Sequence, residues 1–218
     1  MVIFDCNGVL VDSEPIAAAV AAREFARVGI ALTPQLVAHY FLGRRPAEMR
    51  AIIEATARRK LPADFDSTVA AETSKSLRAE LRAMAHASHA LSWLRGPKCV
   101  ASSSPMERVR LSLDLAGLTR FFGQNLFSAS EVRNGKPAPD LFLLVASRMK
   151  VAPRDCIVIE DSPAGIMAAT SAGMAPIGFV GGSHASTELG EQLLAAGART
   201  IIADMRQLKS TIIGLRGW

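Results

Sequence analysis

Hydrophobic positions along this chain follow two rhythms. Val2-Ile3-Phe4 is a short unbroken apolar run that ends at Asp5 and is broken at Gly8. So short a run suits a strand buried on both faces, and it predicts the first and central strand of a sheet. From Pro15 to about Met84 the rhythm is helical. Ile16, Val20 and Phe25 space one amphipathic segment, and Thr33-Pro34 reads as an N-cap followed by proline at the first helical position. Met49, Ile52, Ile53 and Ala57 form a second stripe, and Val69, Thr73, Leu77, Leu81 and Met84 a third. No strand is expected there, so residues 14–85 read as an all-helical insert.

Beyond a short segment containing Trp93 and Leu94, apolar runs of strand length alternate with helical patterns. Strands are expected at 98–102, 126–128, 156–160, 175–180 and 200–203, and helices at 106–115, 140–149, 163–172, 188–196 and 205–215. Such alternation implies right-handed crossovers and a mostly parallel sheet covered by helices on both faces. The expected architecture is therefore an α/β, Rossmann-like core made of residues 1–13 and 86–218, with a small all-α domain at 14–85. Ligands of open parallel sheets lie beyond the carboxyl ends of the strands. Asp5, Ser102-Ser103-Ser104 and Glu160-Asp161-Ser162 all fall at such ends, and Lys136 precedes the helix that follows the third strand.

Composition narrows the function more than the fold. In 218 residues, half of them hydrophobic, there is enough apolar side chain for a substantial core. The net charge of +5 favours an anionic partner, and residues 14–85 carry eleven Lys/Arg against eight Asp/Glu. No basic run exceeds Arg58-Arg59-Lys60, and there is one tyrosine, so a basic groove with stacking aromatics for nucleic acid is not expected. Small phosphorylated metabolites suit the modest excess better. Cys6, Cys99 and Cys156 each sit in or beside an apolar run and read as reduced core thiols. With no basic leader and no apolar stretch of spanning length, the expectation is a cytoplasmic protein without a membrane anchor, monomeric or weakly dimeric.

The clusters at the strand ends contain the parts that phosphoryl transfer requires. Asp5 could attack phosphorus and carry an aspartyl phosphate, dividing one hard displacement into two easier ones. A hard cation is then needed between the anions. Asp5, Asp161, Glu160 and the backbone carbonyl of Asn7 offer oxygen ligands, and so few carboxylates with room for water suit Mg2+ better than Ca2+. Ser102 and nearby backbone N–H groups could hold the phosphoryl oxygens, and Lys136 could bridge Asp5 and phosphate as a point charge. Taken singly, each residue also fits a turn, a cap or a solvated loop; their shared setting at successive strand ends separates the readings.

In this order the residues resemble the haloacid dehalogenase superfamily. Asp5-Cys6-Asn7-Gly8-Val9-Leu10-Val11-Asp12-Ser13 is similar to its first motif, Asp-x-Asp-Gly-x-(Leu/Val/Ile)-x-Asp-(Ser/Thr). Val100 to Ser104 is similar to the second, Gly135-Lys136-Pro137-Ala138-Pro139-Asp140 to the third, and Val158-Ile159-Glu160-Asp161-Ser162 with Gly165 to the fourth. The resemblance implies that the helical insert is a C1 cap closing over the substrate. It also implies that Leu42-Gly43-Arg44-Arg45-Pro46 stands where relatives of the β-phosphoglucomutase and 6-phosphogluconate phosphatase type place a specificity loop. Gly43, Arg44, Arg45 and Ser103 are then substrate-binding candidates, Asp5, Asn7, Ser102 and Lys136 catalytic ones, and Asp5, Asn7, Glu160 and Asp161 the Mg2+ set.

Asn7 departs from the family pattern. The resemblance places there the acid that protonates the leaving alkoxide and later activates water, and an amide does neither at neutral pH. Losing general acid–base catalysis typically removes about 10² to 10⁴ in rate. Three readings follow: an altered form of an active phosphatase made to trap a complex, a natural variant that is slow or uses another base, or a phosphometabolite-binding protein that no longer catalyses. Asn7-Gly8 is also a pair prone to deamidation. Dehalogenation is disfavoured, because the position two after the nucleophile is not aromatic and the acids of the fourth motif are present. Mutases of the β-phosphoglucomutase type carry a cap histidine where this chain has Ala17, which favours hydrolysis of a small sugar phosphate or phosphorylated sugar acid.

Overall fold

A computed structural model describes residues 1–41 and 43–216. Its sheet has six parallel strands, β1 (Val2–Phe4), β2 (Lys98–Ser102), β3 (Leu126–Ser128), β4 (Ile157–Glu160), β5 (Ala175–Phe179) and β6 (Thr200–Ile202), in the order β3-β2-β1-β4-β5-β6. The first strand is central as expected, pairing Ile3 with Cys99 on one side and Val158 on the other. Every residue of β1 and β4 is buried, which is why these strands read as continuous apolar runs instead of alternating ones.

Alternation reappears in where the side chains go. Val2, Phe4, Val100 and Ile159 enter the apolar cluster on one face of the sheet, while Ile3, Cys99, Ala101 and Val158 enter the cluster on the other. The first face is covered by α5 (Ala87–Trp93), α6 (Met106–Leu115) and α10 (Leu208–Arg216), the second by α7 (Asp140–Met149) and α8 (Pro163–Ser171). A further helix, α9 (Leu189–Ala195), packs beside β5 and β6.

Residues 14–85 contain α1 (Glu14–Arg27), α2 (Pro34–Phe41), α3 (Pro46–Ala57) and α4 (Phe65–Glu80), and no strand among the described residues. They enclose their own apolar cluster around Phe25, Val37, Ile53, Leu61 and Phe65, with the Phe25 and Phe65 rings 4.9 Å apart. Thr33 caps α2 as anticipated, its Oγ1 accepting from the N–H of Leu36. The chain leaves and rejoins the sheet side by side: Met84 N–H donates to Leu10 O at 2.8 Å and Asp12 N–H to Arg82 O at 3.1 Å.

The differences from expectation are local. β4, β5 and β6 are each one residue shorter at one end than the apolar runs. The helix α5 was not anticipated, because seven residues rich in Ala and Ser carry no resolvable period. The helix expected over 205–215 opens with a 3₁₀ turn, Met205–Gln207, under a capping box in which Asp204 receives the Arg206 N–H and Gln207 receives the Asp204 N–H. Ile52, assigned to a buried stripe, is exposed; Ile53 carries that contact. Among the described residues no helix is long and apolar enough to cross a membrane. Leu42, residue 217 and residue 218 fall outside the described residues.

Candidate active site

Three strand ends and one loop converge at the carboxyl edge of the sheet. Asp5 follows β1, its N–H bonded to Ile159 O of the neighbouring strand at 2.9 Å. The loop from β3 to α7 is closed by Asn134, whose Nδ2 donates to Asp140 Oδ1, and by Ala138 N–H donating to Gly135 O. That closure aims Lys136 inward, where only 2% of the residue is exposed. Its Nζ donates to Asp5 Oδ1 at 2.6 Å, to Ala101 O at 3.2 Å and to Glu160 Oε1, while the Phe142 ring lies 5.3 Å from the ammonium.

Glu160 departs from its expected role. One oxygen takes Lys136, and the other accepts from Ser162 Oγ at 2.9 Å and from the Ser162 N–H. Ser162 in turn caps α8 by accepting the Gly165 N–H, and a Cβ at Gly165 would lie about 2 Å from the Glu160 carboxylate. Glu160 thus anchors Lys136 through one oxygen and Ser162 through the other. Its neighbour Asp161 is the carboxylate that borders the chamber above Asp5. Ser102 departs too: fully buried, it does not line that chamber and spends its Oγ on the Ser104 N–H. Ser103 and Ser104 line it instead. Ser104 is held in place by Ser128, whose Oγ donates to Ser104 O at 2.7 Å.

Asn7 is fixed at both ends of its amide. Nδ2 donates to Ser104 Oγ at 2.8 Å and Oδ1 accepts from Ser13 Oγ at 3.1 Å. The following turn needs Gly8, at φ +72°, where a Cβ would overlap Asp161 Oδ2. Gly8 N–H is itself bonded to Val11 O at 2.8 Å, so the nitrogen that would attack Asn7 in deamidation is engaged.

The chamber has a volume of about 110 Å³, and the helical insert roofs it. Gly43 meets the sheet at the seam: Ser103 Oγ donates to Gly43 O at 2.8 Å, and at φ +75° a Cβ there would strike Ser162. Arg45 lies over Gly135, pairs with Glu48 at 2.7 Å and reaches Arg133 O, so it spans from insert to core while lining the chamber. Arg44 borders the chamber on one side and a larger open groove of about 780 Å³ on the other. Ala17 lines the chamber without adding a polar group.

Asp5, Glu160 and Asp161 are three buried carboxylates with one lysine among them. Burial raises the pKa of Asp5 well above the usual carboxylate range, although Lys136 pulls the other way. Burial likewise pushes Asp161 up to about 6, against the pull of His184. For Lys136, burial opposes the charge, but Asp5 and Glu160 outweigh it and hold the ammonium above its ordinary value. The cluster is short of positive charge. No group of three His, Cys, Asp or Glu side chains is gathered as a ready metal cage among the described residues. The donors that border the chamber are Asp5, Asp161 and the Asn7 backbone. That hard, sparse oxygen set fits Mg2+, which retains several waters, and does not fit a closed cage.

Two chamber residues and one neighbour escaped the sequence reading. Ser104 carries no signal in sequence beyond its place in the serine run. Arg108, in the first turn of α6, lines the chamber with a buried Nε that has no hydrogen-bond partner among the described residues; nothing in its sequence context sets it apart from other helix arginines. His184, in Gly181-Gly182-Ser183-His184 just after β5, sits against Asp161. Its signal was available, since it too follows the carboxyl end of a strand.

A family model described as haloacid dehalogenase-like hydrolase matches residues 1–173. The 6-phosphogluconate phosphatase of Escherichia coli (strain K12) is 32% identical over 184 residues, covering 84% of this chain and 83% of that protein. A phosphorylated carbohydrates phosphatase of Thermotoga maritima is 29% identical over 204 residues, covering 92% and 93%. Among solved structures, a conserved haloacid dehalogenase-like protein of unknown function from Agrobacterium tumefaciens aligns with a TM-score of 0.85 and 34% identity, over 99% of this chain and 98% of that one.

Proposed function

Since the chain belongs to the haloacid dehalogenase-like hydrolases, we propose that it is a Mg2+-dependent phosphatase acting on a small sugar phosphate or phosphorylated sugar acid through an aspartyl phosphate on Asp5. The observation that carries this reading is the Lys136–Asp5 contact of 2.6 Å at the floor of a small chamber roofed by Arg44 and Arg45. The names of the relatives, phosphatases of phosphorylated carbohydrates, support the substrate class.

In this reading Asp5 uses its free oxygen on phosphorus in line with the leaving alkoxide, while Lys136 holds the other oxygen still and offsets charge on the phosphoryl. Asp5, Asp161 and the Asn7 backbone carbonyl would hold Mg2+, which would supply neutralisation of charge on the phosphate oxygens. Ser103 and Ser104 border the phosphoryl. The four helices of residues 14–85 act as a cap that excludes water, and Arg44 and Arg45 meet the far end of the substrate. Asn7 neither supplies the proton the leaving alkoxide requires nor takes one from the incoming water, so both steps depend on solvent and are slow.

Asn7 also supports a second reading, a phosphometabolite-binding protein without turnover. Asn7→Asp with Mg2+, assayed for phosphate release against a panel of sugar phosphates and phosphorylated sugar acids, separates the two. Ser13 and Ser104 can both donate to the new carboxylate, so the variant keeps the local hydrogen bonds. Turnover of at least one compound is expected to rise by about 10² to 10⁴ over the unaltered chain. Tight binding of a panel member with no hydrolysis by either form would leave the sensor reading. Conversion of a hexose 1-phosphate to its 6-phosphate without phosphate release would instead indicate a mutase.

A further inference from the structure

We infer that His184 is a positioning residue for the Asp161 carboxylate, holding it for the metal; this rests on Asp161 being a Mg2+ ligand, as proposed above. His184 Nε2 lies 3.0 Å from Asp161 Oδ2, and the two side chains are only 3% and 4% exposed. The approach is close but not aligned as a formed hydrogen bond, and neither ring nitrogen nor Oδ2 has another partner among the described residues. Buried polar atoms left unmatched destabilise the fold, so such a pair favours any arrangement that satisfies it. A cation drawn onto Asp161 would give its carboxylate the charge balance it lacks, and a small rotation would bring the imidazole N–H into line with an oxygen.

The backbone is shaped to seat this ring. A Cβ on Gly8 would come within 2.8 Å of His184 Cε1, and one on Gly182 within 2.6 Å, so two glycines leave room for the Cε1 edge of the ring. The slot is also tied shut, since Ser183 N–H donates to Asp12 Oδ1 at 3.2 Å and Ala185 N–H to Gly182 O at 3.0 Å. Asp12 thereby gains a role the turn alone does not explain: it fastens the loop after β5 to the loop after β1. Those two ties hold the backbone that carries the ring beside Asp161. Outer partners that orient metal ligands typically matter by 10- to 100-fold in metal affinity.

His184→Met fills the slot without a donor, while His184→Gln retains an N–H near the position of Nε2. Mg2+ affinity is measured on the intact protein by calorimetry, and independently by electron paramagnetic resonance of bound Mn2+, without substrate. His184→Met is expected to bind about 10- to 100-fold more weakly and His184→Gln within about threefold of the unaltered chain, with thermal melts reported beside each. Native affinity in His184→Met, or equal losses in both variants, overturns the inference. Uptake of neither ion by the unaltered chain overturns the metal reading and this inference with it. Failure of the Asn7→Asp form to hydrolyse any phosphate bears on the phosphatase reading and leaves the binding result standing.

Discussion

The floor and the roof of the chamber are built on opposite principles. The floor joins Asp5, Lys136 and Glu160 from three separate segments into one buried ionic network, with its donors and acceptors specified down to Ser162 and Gly165. The roof presents Arg44 and Arg45 from the helical insert, both partly solvated, with Arg45 held by an ion pair whose two side chains are each 27% exposed. A buried network is costly to break, whereas partly exposed pairs contribute little to stability. Under the proposed phosphatase reading, the contrast puts fixed chemistry on the floor and adjustable recognition on the roof.

Lys136→Met tests the floor and carries the largest expected effect. It removes the cation that pairs with buried Asp5 and Glu160, and the loss should be about 3–5 kcal/mol. The urea midpoint at pH 7 measures it; a midpoint equal to that of the unaltered chain would abolish the distinction between floor and roof. Arg45→Ala tests the roof. In the Asn7→Asp background it should raise KM for an anionic substrate about tenfold with kcat nearly unchanged, the pattern of an interaction made equally in ground and transition states. An equal fall in kcat would move Arg45 into the chemical machinery.

The same contrast explains what could be read from sequence. Strands buried on both faces leave continuous apolar runs, so the strands themselves and the central place of Val2-Ile3-Phe4 are legible in the sequence. The polar residues that follow those runs mark the site edge, which is why Asp5 and Asp161, with Lys136 from the loop after the third strand, could be grouped from sequence. What could not be read was side-chain direction within a polar pair. Consecutive residues leaving a strand point to opposite sides. In Ser102-Ser103 and in Glu160-Asp161 the second member lines the chamber and the first is buried behind it. Arg108 and the α5 helix were silent because neither spacing nor residue type distinguishes them from ordinary helical surface and linker.

The smallest expected effect lies outside both regions and calibrates them. Asp204, partly exposed, caps the 3₁₀ turn before α10 and pairs with Arg206 at 2.7 Å; these contacts hold its pKa down to about 2, the Arg206 side chain contributing most. Because the folded value lies below the unfolded carboxylate value near 4, the unfolded chain takes up the proton first as the solution is acidified. The stabilisation from ionised Asp204 is therefore complete above about pH 4 and is lost as pH falls toward 2. Asp204→Asn should lower the urea midpoint slightly at pH 7, and the gap from the unaltered chain should narrow steadily below pH 4. A gap that stays constant with pH would mean that hydrogen-bond geometry, not charge, holds this cap. A gap as large as that of Lys136→Met would mean that burial is not what sets the floor apart.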